Sequence, residues 1–282
     1  MRSPNPVNGI VATIVLFGVA LIIASCAVMA AAPAIPEITI RSSDYSFEAP
    51  TEVLAGLVTI LHENAGHETH HVQILQLKDG VTTDQVIAAL AQSEDAIFAL
   101  LKGFPGGPGP TAPGNQQRVT VKLEAGNYVL VCFLPDAQGV PHLAHGMIAA
   151  FTVTGTAPAN QPEPLADGTV KLMDFSFALP QTMAAGKQTW KIDNAGTQPH
   201  EITLIKLNQD KTMEDLMSFM DSPHGAPPYV DAGGFQAIEP GASGWVHLDL
   251  TSGNYIAICH VPDPASGKSH SQLGMMMPFQ VQ

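Results

Sequence analysis

Basic residues are scarce in this 282-residue chain: 12 Lys and Arg stand against 25 Asp and Glu, for a formal net charge of −13. Nothing in that balance resembles the cationic footprint that nucleic acid requires, so a nucleic-acid partner is excluded. The acidic excess favours partners that present positive charge. Charged residues make up only 13%, against 45% hydrophobic residues, 25 Gly and 23 Pro. That composition excludes a disordered chain and suits a folded, turn-rich one. The length gives room for about two domains, each with its own core. Cysteine is also rare, at three residues: Cys26, Cys132 and Cys259.

Long apolar runs are absent except at the start. Arg2 is the only charged side chain among the first 32 residues, and Gly9 to Ala32 carries no charge at all. Residues 1–34 are therefore expected to be a signal peptide or membrane anchor. Three fates stay open. "IASC", Ile23 to Cys26, resembles a bacterial lipobox, which would leave Cys26 acylated. The run is also long enough to span a bilayer uncut, and small residues near Ala30 to Ala34 permit ordinary cleavage. Each fate implies an exported protein, periplasmic or at the extracytoplasmic face of a membrane. In that oxidising setting Cys132 and Cys259 can form a disulfide, an alternative to metal binding by the same residues.

Beyond the leader the chain is written twice. "DYSFEAP" (Asp44 to Pro50) aligns with "DFSFALP" (Asp174 to Pro180), and "NAGHETHHVQILQL" (from Asn64) with "NAGTQPHEITLIKL" (from Asn194). "AGNYVLVC" aligns with "SGNYIAIC", and Met147 with Met275. Two like domains are expected, 38–154 and 168–282, joined by a proline-rich, stiff linker at 155–167. Alternating segments such as "VTILHEN", "HHVQILQL" and "WVHLDL" read as strands, and Ala125–Gly126–Asn127 and Ser252–Gly253–Asn254 as turns between strands. The fold class is all-β: two tandem Greek-key sandwiches, each with a short helical insertion. One helix is expected from a cap at Thr83 or Asp84 to about Leu101, the other over Met213 to Met220 behind Thr212. Gly/Pro-rich loops come after the helices, from Gly103 to Asn115 and from Ser222 to Gly234. Met213, Met217 and Met220 recur at helical spacing, as residues packed on a core do.

Three positions carrying metal-binding chemistry recur in register: a histidine opening a strand (His70, His200), a cysteine ending one (Cys132, Cys259), and a histidine five residues before a methionine (His142/Met147, His270/Met275). Strand alternation puts Tyr128, Leu130 and Cys132 on one face, and Tyr255, Ala257 and Cys259 on another. Two imidazoles, a thiolate and a thioether form a soft, mixed donor set that suits copper in both of its common oxidation states. A His₂Cys plane with a weak axial Met is the arrangement of a type 1, or blue, copper site.

These segments resemble the cupredoxins. "NAGTQPH", Asn194 to His200, is similar to the Asn-Ala-Gly-x-Pro-His segment of plastocyanins, and "GNYIAIC" with its downstream His and Met is similar to their ligand strand and loop. The resemblance spans both halves and implies copper ligands His70, Cys132, His142 and Met147, then His200, Cys259, His270 and Met275. It implies an exported, membrane-associated copper protein acting in electron transfer, with a redox partner protein or a copper acceptor. A copper carrier without redox turnover and a metal-free binding domain are the alternatives. The Cys-to-His arm departs from plastocyanins, being ten residues long in one half and eleven in the other, a length comparable to that in copper nitrite reductases. The paired His-x-His and His-Cys motifs of catalytic copper are missing, which weighs against an enzyme: His260 follows Cys259, but Phe133 follows Cys132. His145, His67 and His71 align with Leu273, Thr197 and Glu201 and are expected at the surface or supporting the ligands. Met276 and Met277 leave open which methionine faces the second site.

Overall fold

The computed structural model describes residues 1–2, 34–90, 92, 94–180 and 183–282; the leader, with Cys26, lies outside them. Among the described residues no helix is long and apolar enough to cross a membrane. The first half contributes β1 (Glu37–Ser43), β2 (Ser46–Glu48), β3 (Glu52–Leu54), β4 (Gly56–Asn64), β5 (Gln73–Leu77), α1 (Thr83–Leu90), β6 (Leu101–Gly106), β7 (Gln116–Leu123), β8 (Gly126–Val131) and β9 (Ile148–Thr154). The second contributes β10 (Gly168–Met173), β11 (Ser176–Ala178), β12 (Gly186–Asn194), β13 (His200–Leu207), α2 (Met213–Asp221), β14 (Tyr229–Ile238), β15 (Ser243–Leu250), β16 (Gly253–Ile258) and β17 (Met276–Val281).

The all-β class holds, and each half is a Greek-key sandwich. Yet the sheets do not stop at the repeat boundary. One runs β11-β10-β12-β15-β7-β4-β1-β2 and the other β17-β16-β13-β14-β6-β5-β8-β9-β3. Strands β7 and β15, matched in the repeat, pair antiparallel with Val119 opposite its own counterpart Val246, Thr120 opposite Trp245 and Arg118 opposite His247. In the other sheet Gly109 N–H donates to the Gly234 carbonyl, and Gln236 N–H donates to that of Gly107. Each bond is the other's repeat image, so the halves meet as an isologous pair about a pseudo-two-fold axis. Gly107 and Gly234 take positive φ there, and a Cβ on either would strike the carbonyl of Val72 or Ile202, so both positions require glycine. The core is continuous across the junction, from Ile40, Ile60 and Val119 to Trp190, Phe235 and Val246.

Several expectations are corrected. The Gly/Pro-rich stretches are strand-forming in part: β6 and β14 overlap them, and Pro105 pairs with Ile238. These segments make the inter-half contact in one sheet, as β7 and β15 do in the other, and no pattern within either half reveals it. The first helical insertion is not one helix to Leu101. Helix α1 ends at Leu90, and a 3₁₀ stretch covers Glu94–Leu100. Its cap is Thr82, whose hydroxyl accepts from Gln85 N–H while the Gln85 side chain accepts from Thr82 N–H. Thr212 caps α2 with the matching exchange to Asp215. On α2 the buried residue is Leu216 and Met213 packs beside it on the core, whereas Met217 and Met220 are exposed, so the methionine stripe packs only at its first residue. Within 155–167, Gln161 accepts from Leu57 N–H at 2.6 Å and donates to the Leu57 carbonyl at 2.8 Å, so the linker is laid along β4.

Candidate metal centres

Each ligand-bearing loop begins as a strand end fixed by a tyrosine. Tyr128 O–H donates to the Glu124 carbonyl at 2.7 Å and accepts from Glu124 N–H, and Tyr255 repeats both bonds with Thr251. The rings stack on Phe151 and Phe279, which anchors the strands that deliver Cys132 and Cys259. The long Cys-to-His arm folds outward as a small hairpin of its own, bridged Pro135 to Pro141 in one half and Pro262 to Ser269 in the other. Its base is closed: Leu143 N–H donates to the Cys132 carbonyl, and Ser271 N–H to that of Cys259. The extra length therefore leaves cysteine and histidine side by side. The His-x4-Met spacing is a short turn ended by glycine at positive φ (Gly146, Gly274), after which Met147 and Met275 N–H donate back to the carbonyls of His142 and His270.

The upstream histidine is set by the Asn-Ala-Gly segment. Asn64 Nδ2 donates to the carbonyls of Glu68 and Thr111, and Asn194 to those of Gln198 and Ile238. Gly66 and Gly196 lack a Cβ because one would collide with the His–Asp pair beside it. His70 does not open a strand as expected. It precedes β5 and forms an isolated bridge with Thr111, whereas His200 does begin β13.

The donors converge. His70 Nδ1 and His142 Nδ1 lie 3.0 Å apart, with Cys132 Sγ 3.5 Å from His142 Nδ1. In the second half the Nδ1–Nδ1 separation is again 3.0 Å, and Cys259 Sγ lies 3.4 Å from His270 Nδ1 and 4.0 Å from His200 Nδ1. Both triads are buried. Donors ~2.0–2.3 Å from a shared ion stand about 3–4 Å from one another, so the spacing suits one metal ion per triad. Met147 and Met275 are fully buried where each loop ends. Met276 and Met277 belong to β17, which pairs with β16. The two sulfurs are not bonded to one another, which removes the disulfide alternative.

Sequence reasoning missed the residues behind the histidines. Asp44 Oδ1 lies 3.2 Å from His70 Nε2, and Asp174 Oδ1 lies 2.9 Å from His200 Nε2. The His200 hydrogen bond, more than the opposing effect of burial, holds the Asp174 carboxyl down at about 2. At Asp44 burial pushes upward, but hydrogen bonds from His67, His70 and Glu68 outweigh it and keep the carboxyl well below its usual range. An ionised carboxylate only accepts, so the imidazole proton sits on Nε2 and Nδ1 turns a lone pair into the site. Both aspartates stand in the matched "DYSF" and "DFSF" segments, which was the available signal. The next residues, Tyr45 and Phe175, take φ of 64° and 61°, unusual for aromatics, and set their rings edge-on to His142 and His270 at 5.2 and 5.3 Å.

Other histidines fall where they support rather than join the triads. His71 Nε2 accepts from Phe133 N–H, and its counterpart Glu201 accepts from His260 N–H, so each steadies the residue after the cysteine. Burial drives His71 down to about 3 and Glu201 up to about 7, favouring the uncharged form of both. His67 is exposed and bonded to Asp44, and His145 bonds Asp136. Burial raises the Cys132 thiol to about 11 and the Cys259 thiol further, so a bound cation is what would draw out the thiolates.

Each half is a β-sandwich with one His/Cys/His group that could hold a metal ion, in keeping with the sequence resemblance to the cupredoxins. Among solved structures, similar chains include the dithionite-reduced auracyanin of the photosynthetic bacterium Roseiflexus castenholzii (20% identity, 44% of this chain and 99% of that one, TM-score 0.30). A multicopper oxidase is 16% identical over 87% of this chain and 88% of its own, with a TM-score of 0.26. A copper nitrite reductase from Nitrosomonas europaea is 12% identical over 89% and 94%, with a TM-score of 0.27. No protein-family model and no curated protein matches the chain.

Proposed function

We propose that this is an exported two-centre copper protein that carries electrons, one ion held by His70, Cys132, His142 and Met147 and the other by His200, Cys259, His270 and Met275. The observation that carries the reading is the paired convergence of two Nδ1 atoms and one Sγ in a buried triad. Bound there, copper would supply a one-electron couple. The chain's own part is to hold the donors still: the Tyr128 and Tyr255 corners, the closed loop bases and the Asp44 and Asp174 hydrogen bonds each fix one donor. Little rearrangement is then needed when charge at the site changes. Neither loop histidine reaches solvent, His142 being 1% and His270 0% exposed, so electrons would enter through the half-buried edges of Tyr45 and Phe175. The uncharged run at the start of the chain supports attachment at the outer face of a membrane, which fractionation of cells expressing the full chain checks. The net charge of −13 favours a redox partner with a cationic face.

Added Cu(II) is expected to produce an intense visible thiolate-to-copper charge-transfer band at a stoichiometry of two. Cys132→Ala and Cys259→Ala should each remove one ion and about half of the band, and the double variant should be colourless. A folded wild-type protein that takes up no copper, or takes it up without colour, overturns the proposal.

A further inference from the structure

The two triads are alike in donors but not in what faces the loop histidine. His142 Nε2 lies 2.8 Å from Glu68 Oε2. Both atoms are shielded from water and neither has a hydrogen-bond partner, the pair being close without hydrogen-bond alignment. At the matched place His270 Nε2 meets Gln198 Oε1 at 3.2 Å. Two other carboxylate pairs near the triads are matched: Asp44 and Asp174 behind the upstream histidine, and Asp136 and Asp263 in the loop. The other differences are a Tyr45 hydroxyl where the second site has Phe175, the exposed-side pairs His67–Asp44 and His145–Asp136, whose histidines are Thr197 and Leu273 in the second half, and Glu201 where the first site has His71; Glu201 N–H points at Cys259 Sγ, while its carboxyl accepts from His260 N–H. Among the described residues, Glu68 is thus the carboxylate set against a ligand imidazole in one half and replaced by a neutral amide in the other.

We propose that the two centres have different reduction potentials, that Glu68, acting through His142, lowers the first, and that Gln198 leaves the second higher. The inference rests on the copper reading of the two triads. A carboxylate against the far nitrogen of a ligand imidazole increases electron donation to the metal and stabilises the more positive ion. In a protein holding one electron between its two centres, the second copper is then the one reduced and the first the one oxidised. An electron delivered to the first centre would pass on to the second, the first copper returning to Cu(II) as the second is reduced to Cu(I), with no proton or atom transferred. Glu68 is a positioning residue here: it touches a ligand and not the metal.

The test is a spectroscopic redox titration of the copper-loaded protein, with Cys259→Ala and Cys132→Ala used to isolate the first and second centres. The first centre is expected to be lower by at least tenfold in its Cu(I):Cu(II) ratio at a common potential, which is 59 mV for a one-electron couple. Glu68→Gln should raise the first centre toward the second, Gln198→Glu should lower the second, and the double exchange should reverse their order. Equal potentials, or a first centre that does not move in copper-loaded Glu68→Gln, overturn the inference while leaving the copper reading intact. Absence of copper from both centres overturns that reading instead. Circular dichroism of the metal-free variants separates a potential shift from misfolding.

Discussion

Deep in the first half, His62 stands between two hydroxyls, Ser42 Oγ at 2.9 Å from Nε2 and Thr111 Oγ1 at 3.0 Å from Nδ1. The second half fills the same three places with Leu172, Ile192 and Ile238, all buried. Burial, with a smaller push from His70, drives His62 down to about 3 from its ordinary 6.5. The unfolded chain therefore binds a proton that the folded chain refuses between those values. Stability is fully present above about pH 6.5 and is lost as pH falls toward 3, at ~1.4 kcal/mol per pH unit from this residue. His71 adds loss of the same sign. Exchanging the polar trio for its apolar counterpart (Ser42→Leu, His62→Ile, Thr111→Ile) removes the His62 ring and both its hydroxyl partners at once, and the Gly109 carbonyl, which accepts from Thr111 Oγ1, is the group that loses a partner. Urea unfolding of the metal-free protein is expected to show the loss between pH 7.5 and 5 reduced by about 2 kcal/mol in the triple variant. An unchanged pH dependence would locate the sensitivity elsewhere.

At the scale of elements, β6 and β14 matter most and were least legible. Their sequences, "LKGFPG" and "YVDAGGFQAI", carry glycine or proline where strand propensity is poor. Each pairs with a strand of its own half, β6 with β5 and β14 with β13, and the matched edge in the other half adds the pairing of Pro105 with Ile238. Gly234 cannot change without cost, since a Cβ would meet the Ile202 carbonyl with φ already at +143°. Gly234→Ala is expected to destabilise by about 3 kcal/mol or more. Gly241→Ala, also at positive φ but facing open space, should cost about 1 kcal/mol and serves as the control. Chemical unfolding of both variants checks the difference. The ligand-bearing elements, by contrast, were readable, because Cys132, His142 and Met147 and their images are matched in register. The aspartates were not, since Asp44 reaches His70 across 26 residues through a hairpin tip that alignment alone does not fold.

For the whole molecule, the isologous junction makes a prediction about each half alone. Residues 34–154 would expose β6 and β7 as unpaired edges whose natural complement is a near copy of themselves. The isolated first half is expected to self-associate into a dimer, with Val119 opposite Val119, and analytical ultracentrifugation of that fragment tests it. A monomer at micromolar concentration would mean that β14 and β15 contribute something their counterparts lack. The same junction couples the halves in the intact chain, so unfolding should follow one transition, with Gly234→Ala weakening both centres together.

That junction also changes what variation can do. A gene for a symmetric homodimer writes each residue once and displays it twice, so a glutamate beside one loop histidine would stand beside both. Joined end to end, with Gln161 pinning the splice to β4, the copies are spelled separately. Glu68 and Gln198, His62 and Ile192, and His71 and Glu201 are then free to differ across a contact that remains symmetric in its backbone.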